Sequence, residues 1–173
     1  MDDKIYNVLF ICTGNSARSL MAEAIMNDLG KGHFRAYSAG SHPRGVAHPM
    51  TLKVLDHQGY DVAGLRSKSW TEFAAPDAPA MDFIFTVCDQ AAGEVCPAWP
   101  GQPVTAHWGF ADPAAATGDQ EQQLRAFTLA EFQIANRIRL FMNLPFDKLD
   151  RLSLQSRLHA LNDASVPGEG ALR

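Results

Sequence analysis

Little in this sequence would hold the chain in a membrane, on a nucleic acid or together by disulfides. No apolar run approaches the ~20 residues needed to span a bilayer. The opening Met1-Asp2-Asp3-Lys4 has neither the basic head nor the apolar stretch of an export signal. A formal net charge of −4 offers nucleic acid or anionic lipid no global attraction, so any anion must be held by local geometry. Three cysteines, an odd number in a chain without an export signal, argue against a structural disulfide framework and for thiols kept reduced in the cytoplasm. The six histidines show no metal-ligand spacing, and His107 reads as packing beside Trp108. No metal and no organic cofactor are expected.

What is present suits one globular unit. With 46% hydrophobic and 20% charged residues the chain is too apolar to stay disordered, and 173 residues suffice for one core. A single domain is expected over residues 1–163, with a loose tail rich in Gly and Pro over 164–173, and a monomer. Asn7 to Ile11 is an unbroken apolar run, as in a parallel strand covered on both faces. Beyond the loop from Thr13 to Arg18, Leu20, Met21, Ala24, Ile25 and Leu29 recur at helical spacing until Gly30. Further strands are expected at Phe34–Ser38, Asp82–Val87 and Val104–His107, with a helix over Pro49–Gln58. A long helix should run from Asp119 to Phe141, with Leu124, Phe127, Leu129, Phe132, Ile134, Ile138 and Leu140 mostly on one side, and another from Asp147 to Leu161. Alternating strands and helices imply an α/β fold with a doubly wound, parallel, four-stranded sheet.

The informative segment is Cys12-Thr13-Gly14-Asn15-Ser16-Ala17-Arg18-Ser19, lying between a strand and a helix. Backbone N–H groups of Thr13, Gly14, Asn15, Ser16, Ala17 and Arg18 can converge on a tetrahedral oxyanion, aided by the positive end of the following helix. The planar fork of Arg18 can hold two of its oxygens. The same field should lower the pKa of Cys12 and leave a thiolate beneath the anion. Gly14 and Asn15 suit the positive φ that so tight a loop needs. Alternatively, Cys12 is a small buried hydrophobe at a strand end and Arg18 a solvated helix residue. The strand before, the helix after and Gly-Asn-Ser within favour the anion loop.

Cys-Thr-Gly-Asn-Ser-x-Arg-Ser after Val-Leu-Phe-Ile resembles the low-molecular-weight tyrosine phosphatases and the arsenate reductases that share their fold. Ser38-Ala39-Gly40, the Gly45 to Pro49 region, Ser67-Lys68, Thr86-Val87-Cys88 and His107 to Pro113 follow in the order that family shows. Ala17 stands where a second loop cysteine is frequent. By this resemblance Asp112, in an Asp-Pro pair, is the general acid; an isolated Asp-Pro would merely start a turn.

Cys88 and Cys96 separate two activities. A phosphatase needs no further thiol, whereas a reductase must deliver two electrons. Cys88, at the end of the third strand and near the sheet edge that carries Cys12, is placed to attack it. Cys96 follows across a segment containing Ala-Ala-Gly. A buried Cys88 and an incidental Cys96 are the plain alternative. Where the phosphatases carry tyrosines after the acid, this chain has Ala114-Ala115-Ala116-Thr117-Gly118, which favours a small inorganic substrate. The resemblance thus implies a thioredoxin-coupled arsenate reductase that also accepts phosphate or sulfate as analogues. Cys12 attacks arsenic, a Cys12–Cys88 disulfide follows, and Cys96 resolves it for thioredoxin, or for glutaredoxin and glutathione. The rivals are a phosphatase using Cys12, Arg18 and Asp112, and a non-catalytic oxyanion-binding domain. Supporting roles are implied for Ser19 beside the thiolate, for Asn15 as a brace, and for Lys68. In some relatives a cation is held by residues matching Asn15, Glu23 and Ser38, and the Lys68 ammonium would replace it here; a solvated Lys68 is the alternative.

Overall fold

A computed structural model describes residues 4–88, 99, 102–148, 150 and 153–162. The expected tail at 164–173 and Cys96 lie outside the described residues. In chain order the elements are β1 (Tyr6–Cys12), α1 (Arg18–Leu29), β2 (Phe34–Gly40), α2 (Pro49–His57), the one-turn α3 (Thr71–Ala74), β3 (Phe83–Thr86), β4 (Val104–His107) and α4 (Gln120–Met142). A last helix, α5, covers 153–162. All strand pairs are parallel, in the order β2-β1-β3-β4, so the doubly wound four-stranded sheet is the observed architecture. Among the described residues no helix is long and apolar enough to cross a membrane.

Alternation along the strands divides the core between two faces. Phe10, Phe83 and Phe85 share one of them, and Phe141 of α4 packs edge-on against Phe83 and Phe85 at centroid distances of 5.1 and 5.2 Å. Phe85 also stacks on Trp108 at 3.9 Å. On the other face Tyr37 meets Phe73 of α3. Val8 to Ile11 have no exposed surface, as befits a central strand with both faces covered.

Two expectations for the helices fail. Leu129, Phe132 and Leu140 are 56, 55 and 48% exposed, while Phe127, Ile134, Ile138 and Phe141 are buried. At about 100° per residue, Leu129 and Phe132 project well away from the stripe through Phe127 and Ile134. The segment after α4 is also not one helix. Phe146–Lys148 forms a short 3-10 turn, and the Asp150 carboxylate accepts a capping hydrogen bond from Ser153 N–H at 2.8 Å, so α5 begins anew.

β1 is where the winding changes direction: β2 lies on one side of it and β3 on the other. Loops leaving the carboxyl ends of β1 and β3 therefore diverge and leave a crevice, the place where ligands settle in open α/β sheets. Ile11 is in register with Thr86, and Val87 N–H donates to the Ile11 carbonyl at 2.8 Å. The residues that follow, Cys12-Thr13 and Val87-Cys88, consequently emerge side by side.

Candidate active site

At that edge lies a cavity of about 470 Å³ lined by Cys12 to Arg18, His42, Arg44, Cys88, Phe110 to Asp112 and Ala114. The loop from Cys12 to Arg18 is built from backbone constraints. Asn15 has φ 45°, as expected, but Gly14 is not in the left-handed region. Glycine at 14 instead admits Arg44, since a Cβ there would lie 3.2 Å from Arg44 Nε. Gly40, at the end of β2, is the tighter constraint: a Cβ would lie 2.5 Å from the Thr13 carbonyl oxygen. The segment after Gly40 then runs alongside the loop, with His42, Arg44 and His48 donating their N–H groups to the carbonyls of Thr13, Gly14 and Ser16 at 2.9–3.0 Å. Those bonds tie three of the loop's carbonyls to the neighbouring segment.

Cys12 is 3% exposed, and its Sγ lies 2.9 Å from Ser19 Oγ. Burial is the largest influence on this thiol and pushes its pKa up; the side-chain and backbone hydrogen bonds of Ser19 and the charge of Arg18 pull it down, while Cys88 adds to the rise. The net direction is upward, opposite to the lowering expected from the sequence. The sequence displays the donors but not the depth of the sulfur. Ser19 Oγ in turn accepts from Asn15 Nδ2 at 2.7 Å, so Ser19 faces the sulfur and makes no helix cap. Ser19→Ala is accordingly expected to raise the Cys12 pKa further and move the pH profile of its alkylation by iodoacetamide to higher pH. An unmoved profile would show that Ser19 does not tune the thiol.

Behind Ser19 the polar chain continues. Asn15 Nδ2 also donates to Ser38 Oγ at 3.0 Å, and Ser38 Oγ donates to Glu23 Oε1 at 2.6 Å. Lys68 closes the chain: its N–H donates to Asn15 Oδ1 at 2.9 Å, and Nζ reaches Glu23 Oε1 at 3.5 Å, Ser38 Oγ at 3.4 Å and the Arg66 carbonyl at 2.8 Å. Lys68 is 8% exposed rather than solvated, and burial draws its pKa below the ordinary lysine value against the upward pull of Glu23. The Lys68 amine thus lies beside Glu23 and Ser38, while Asn15 meets only the Lys68 backbone N–H among these bonds.

Arg18 Nη1 donates to the Phe110 carbonyl at 2.9 Å, and Nη2 lies 3.7 Å from Asp112 Oδ2. Asp112 starts a turn and also faces the cavity. Its Oδ1 accepts from Ala114 N–H at 3.0 Å and starts the turn Pro113–Ala115, while the carboxylate lines the cavity. Cys88 is 3% exposed; its sulfur accepts from Thr13 N–H at 3.3 Å and lies 3.6 Å from Thr13 Oγ1. The cavity therefore brings together Cys12, Arg18, Asp112 and Cys88. His107 Nδ1 lies 2.9 Å from Thr86 Oγ1 on the neighbouring strand. The cavity also takes in His42 and Arg44, which no motif signalled. The resemblance had marked the segment from Gly45 onward, just past them.

Comparison with known proteins agrees with this fold. A family model described as low molecular weight phosphotyrosine protein phosphatase matches residues 7–143. The chain belongs to that family. Within it, the chain is 36% identical over 134 residues to a protein of Halalkalibacterium halodurans named arsenate reductase, covering 78% of this chain and 93% of that one. It is 34% identical over 141 residues to a Bacillus subtilis protein of the same name, covering 82% and 96%. A solved structure described as an arsenate reductase in the phosphate binding state superposes with a TM-score of 0.65 at 27% identity, over 79% of this chain and 96% of the other. A low molecular weight protein tyrosine phosphatase from T. tengcongensis shares the fold, with a TM-score of 0.63 at 24% identity, over 80% of this chain and 99% of that one.

Proposed function

We propose that this family member reduces arsenate to arsenite, and that Cys12 is its nucleophile. The observation that carries the reading is the second thiol: Cys88 lies in the cavity of Cys12, its sulfur against the N–H of the residue next to Cys12. Hydrolysis of a phosphate ester has no use for it, whereas reduction needs two electrons near the oxyanion. The names of the relatives from H. halodurans and B. subtilis support the same choice.

In this mechanism arsenate sits on the N–H groups of the loop, with the Arg18 fork across its oxygens. Ionised Cys12 attacks arsenic, a sulfur–arsenic bond forms, and one oxygen leaves as water with a proton from Asp112. The Cys88 thiolate then attacks the Cys12 sulfur. The sulfur–arsenic bond breaks with its electron pair on arsenic, which leaves as arsenite, and the two sulfurs remain as a disulfide. Cys96 is proposed to take over the bond to Cys88 and present it to an external dithiol protein such as thioredoxin; glutathione with glutaredoxin is the other donor class.

The test compares arsenate reduction with turnover of an aryl phosphate, with thioredoxin and its reductase, with glutathione and glutaredoxin, or with neither. Multiple-turnover arsenite formation that requires one donor system is expected, and aryl phosphate turnover should be slower by about tenfold or more because no aromatic wall follows Asp112. Fast phosphatase turnover with no arsenite would favour the ester-cleaving reading instead.

A further inference from the structure

The family match ends at residue 143, yet α5, beyond that end, reaches back to the loop that carries Asp112. Leu158 is wholly buried, and its carbonyl accepts from Trp108 Nε1 at 3.3 Å. Asn162 Oδ1 accepts from Gly109 N–H at 3.2 Å and from Arg137 Nη1 at 3.2 Å. Arg137, on α4, is 2% exposed, and its guanidinium stands 4.7 Å from the Phe110 ring centroid and 5.9 Å from that of Trp108. Three consecutive residues are thus gripped: Trp108 through its indole, Gly109 through its amide and Phe110 through its ring. The next contacts along the loop are the Phe110 carbonyl on Arg18 and the carboxylate of Asp112.

We propose that Asn162 and Arg137 are positioning residues that hold the loop 108–112 so that Asp112 faces the oxyanion site, a service α5 supplies from outside the family segment. The inference rests on Asp112 being the proton donor. Connecting loops are the mobile parts of a fold, and an acid displaced by about 1 Å can lose up to ~10²-fold in rate. A buried guanidinium also costs stability unless it is paired, so the Asn162 oxygen and the two rings give Arg137 a reason to stay where it clamps Phe110.

The test uses the full chain, reduced, and follows arsenate-dependent loss of free thiols in a single turnover, with phosphate affinity taken from competition. Asp112→Asn is expected to slow this step by about 10²-fold. Asn162→Ala should slow it by about tenfold, and phosphate affinity should change by less than about twofold because the loop from Cys12 to Arg18 is braced elsewhere. Asn162→Asp keeps an oxygen for both donors and should recover the rate to within about threefold. In the Asp112→Asn background, Asn162→Ala should cost less than about twofold, since the two act as a unit. A full-rate Asn162→Ala, an Asn162→Asp as slow as the alanine variant, or equal costs in both backgrounds would each overturn the positioning role while leaving the reductase reading standing. An unimpaired Asp112→Asn would sink the acid assignment and the positioning role with it.

Discussion

Cys12→Ser is expected to remove arsenate reduction while the protein still folds and still binds phosphate. A hydroxyl in this position is far less ionised than a thiol, and it cannot form the sulfur–arsenic bond or the later disulfide. Loss of a nucleophile costs other enzymes up to about 10⁶-fold. Activity above about a tenth of wild type would take Cys12 out of the mechanism. The fold should tolerate the exchange because serine is slightly smaller and Ser19 Oγ remains a hydrogen-bond partner 2.9 Å from the position of Sγ. Circular dichroism and phosphate competition check both conditions; a folded variant that no longer binds phosphate would mean that the sulfur holds the loop together.

Cys88→Ser is expected to stop multiple turnover as completely, at a different step. The first attack on arsenic can still occur, but no neighbouring thiol remains to break the sulfur–arsenic bond, so arsenite release should require an added small thiol. Cys96→Ser should differ: one equivalent of arsenite is released, and the protein then holds a Cys12–Cys88 disulfide. Peptide mapping by mass spectrometry after a single addition of arsenate distinguishes the two. A Cys12–Cys96 link formed at wild-type rate in Cys88→Ser would reverse the order of the thiols. Sustained turnover by Cys96→Ser with thioredoxin would remove Cys96 from the relay.

Much of the site was legible because its chemistry sits in one contiguous stretch between a buried strand and a helix. The placement of Cys88 followed from strand order, since parallel neighbours end on the same edge of a sheet. The errors come from what one dimension hides. Leu129, Phe132 and Leu140 read as core because leucine and phenylalanine are apolar, but apolar residues are also common on surfaces, and only their angle around α4 tells the two apart. The Cys12 thiol looked acidic because its donors are in the motif, while its burial depends on α1, β2 and the loops packed over it. His42 and Arg44, which line the cavity, and Arg137 and Asn162, which touch the loop behind it, carried no signal, because each comes from a segment distant in sequence or lacking a motif. Lys68 was suggested by resemblance alone; the neighbours that explain a buried ammonium, Glu23 and Ser38, come from α1 and β2.

The meeting of Thr13 with Cys88 joins residues 75 positions apart in the chain. A covalent link from Cys12 to Cys88, one position further apart, would close a ring and shrink the unfolded ensemble far more than the folded one. In the chain-entropy description a ring of this length favours the folded state by about 4–5 kcal/mol. Each catalytic cycle would then alternate between a more open thermodynamic ledger and a tighter one. The Cys12–Cys88 form would resist unfolding better than the reduced protein, and Cys96, by taking over the bond to Cys88, would reopen the long ring before the external donor acts.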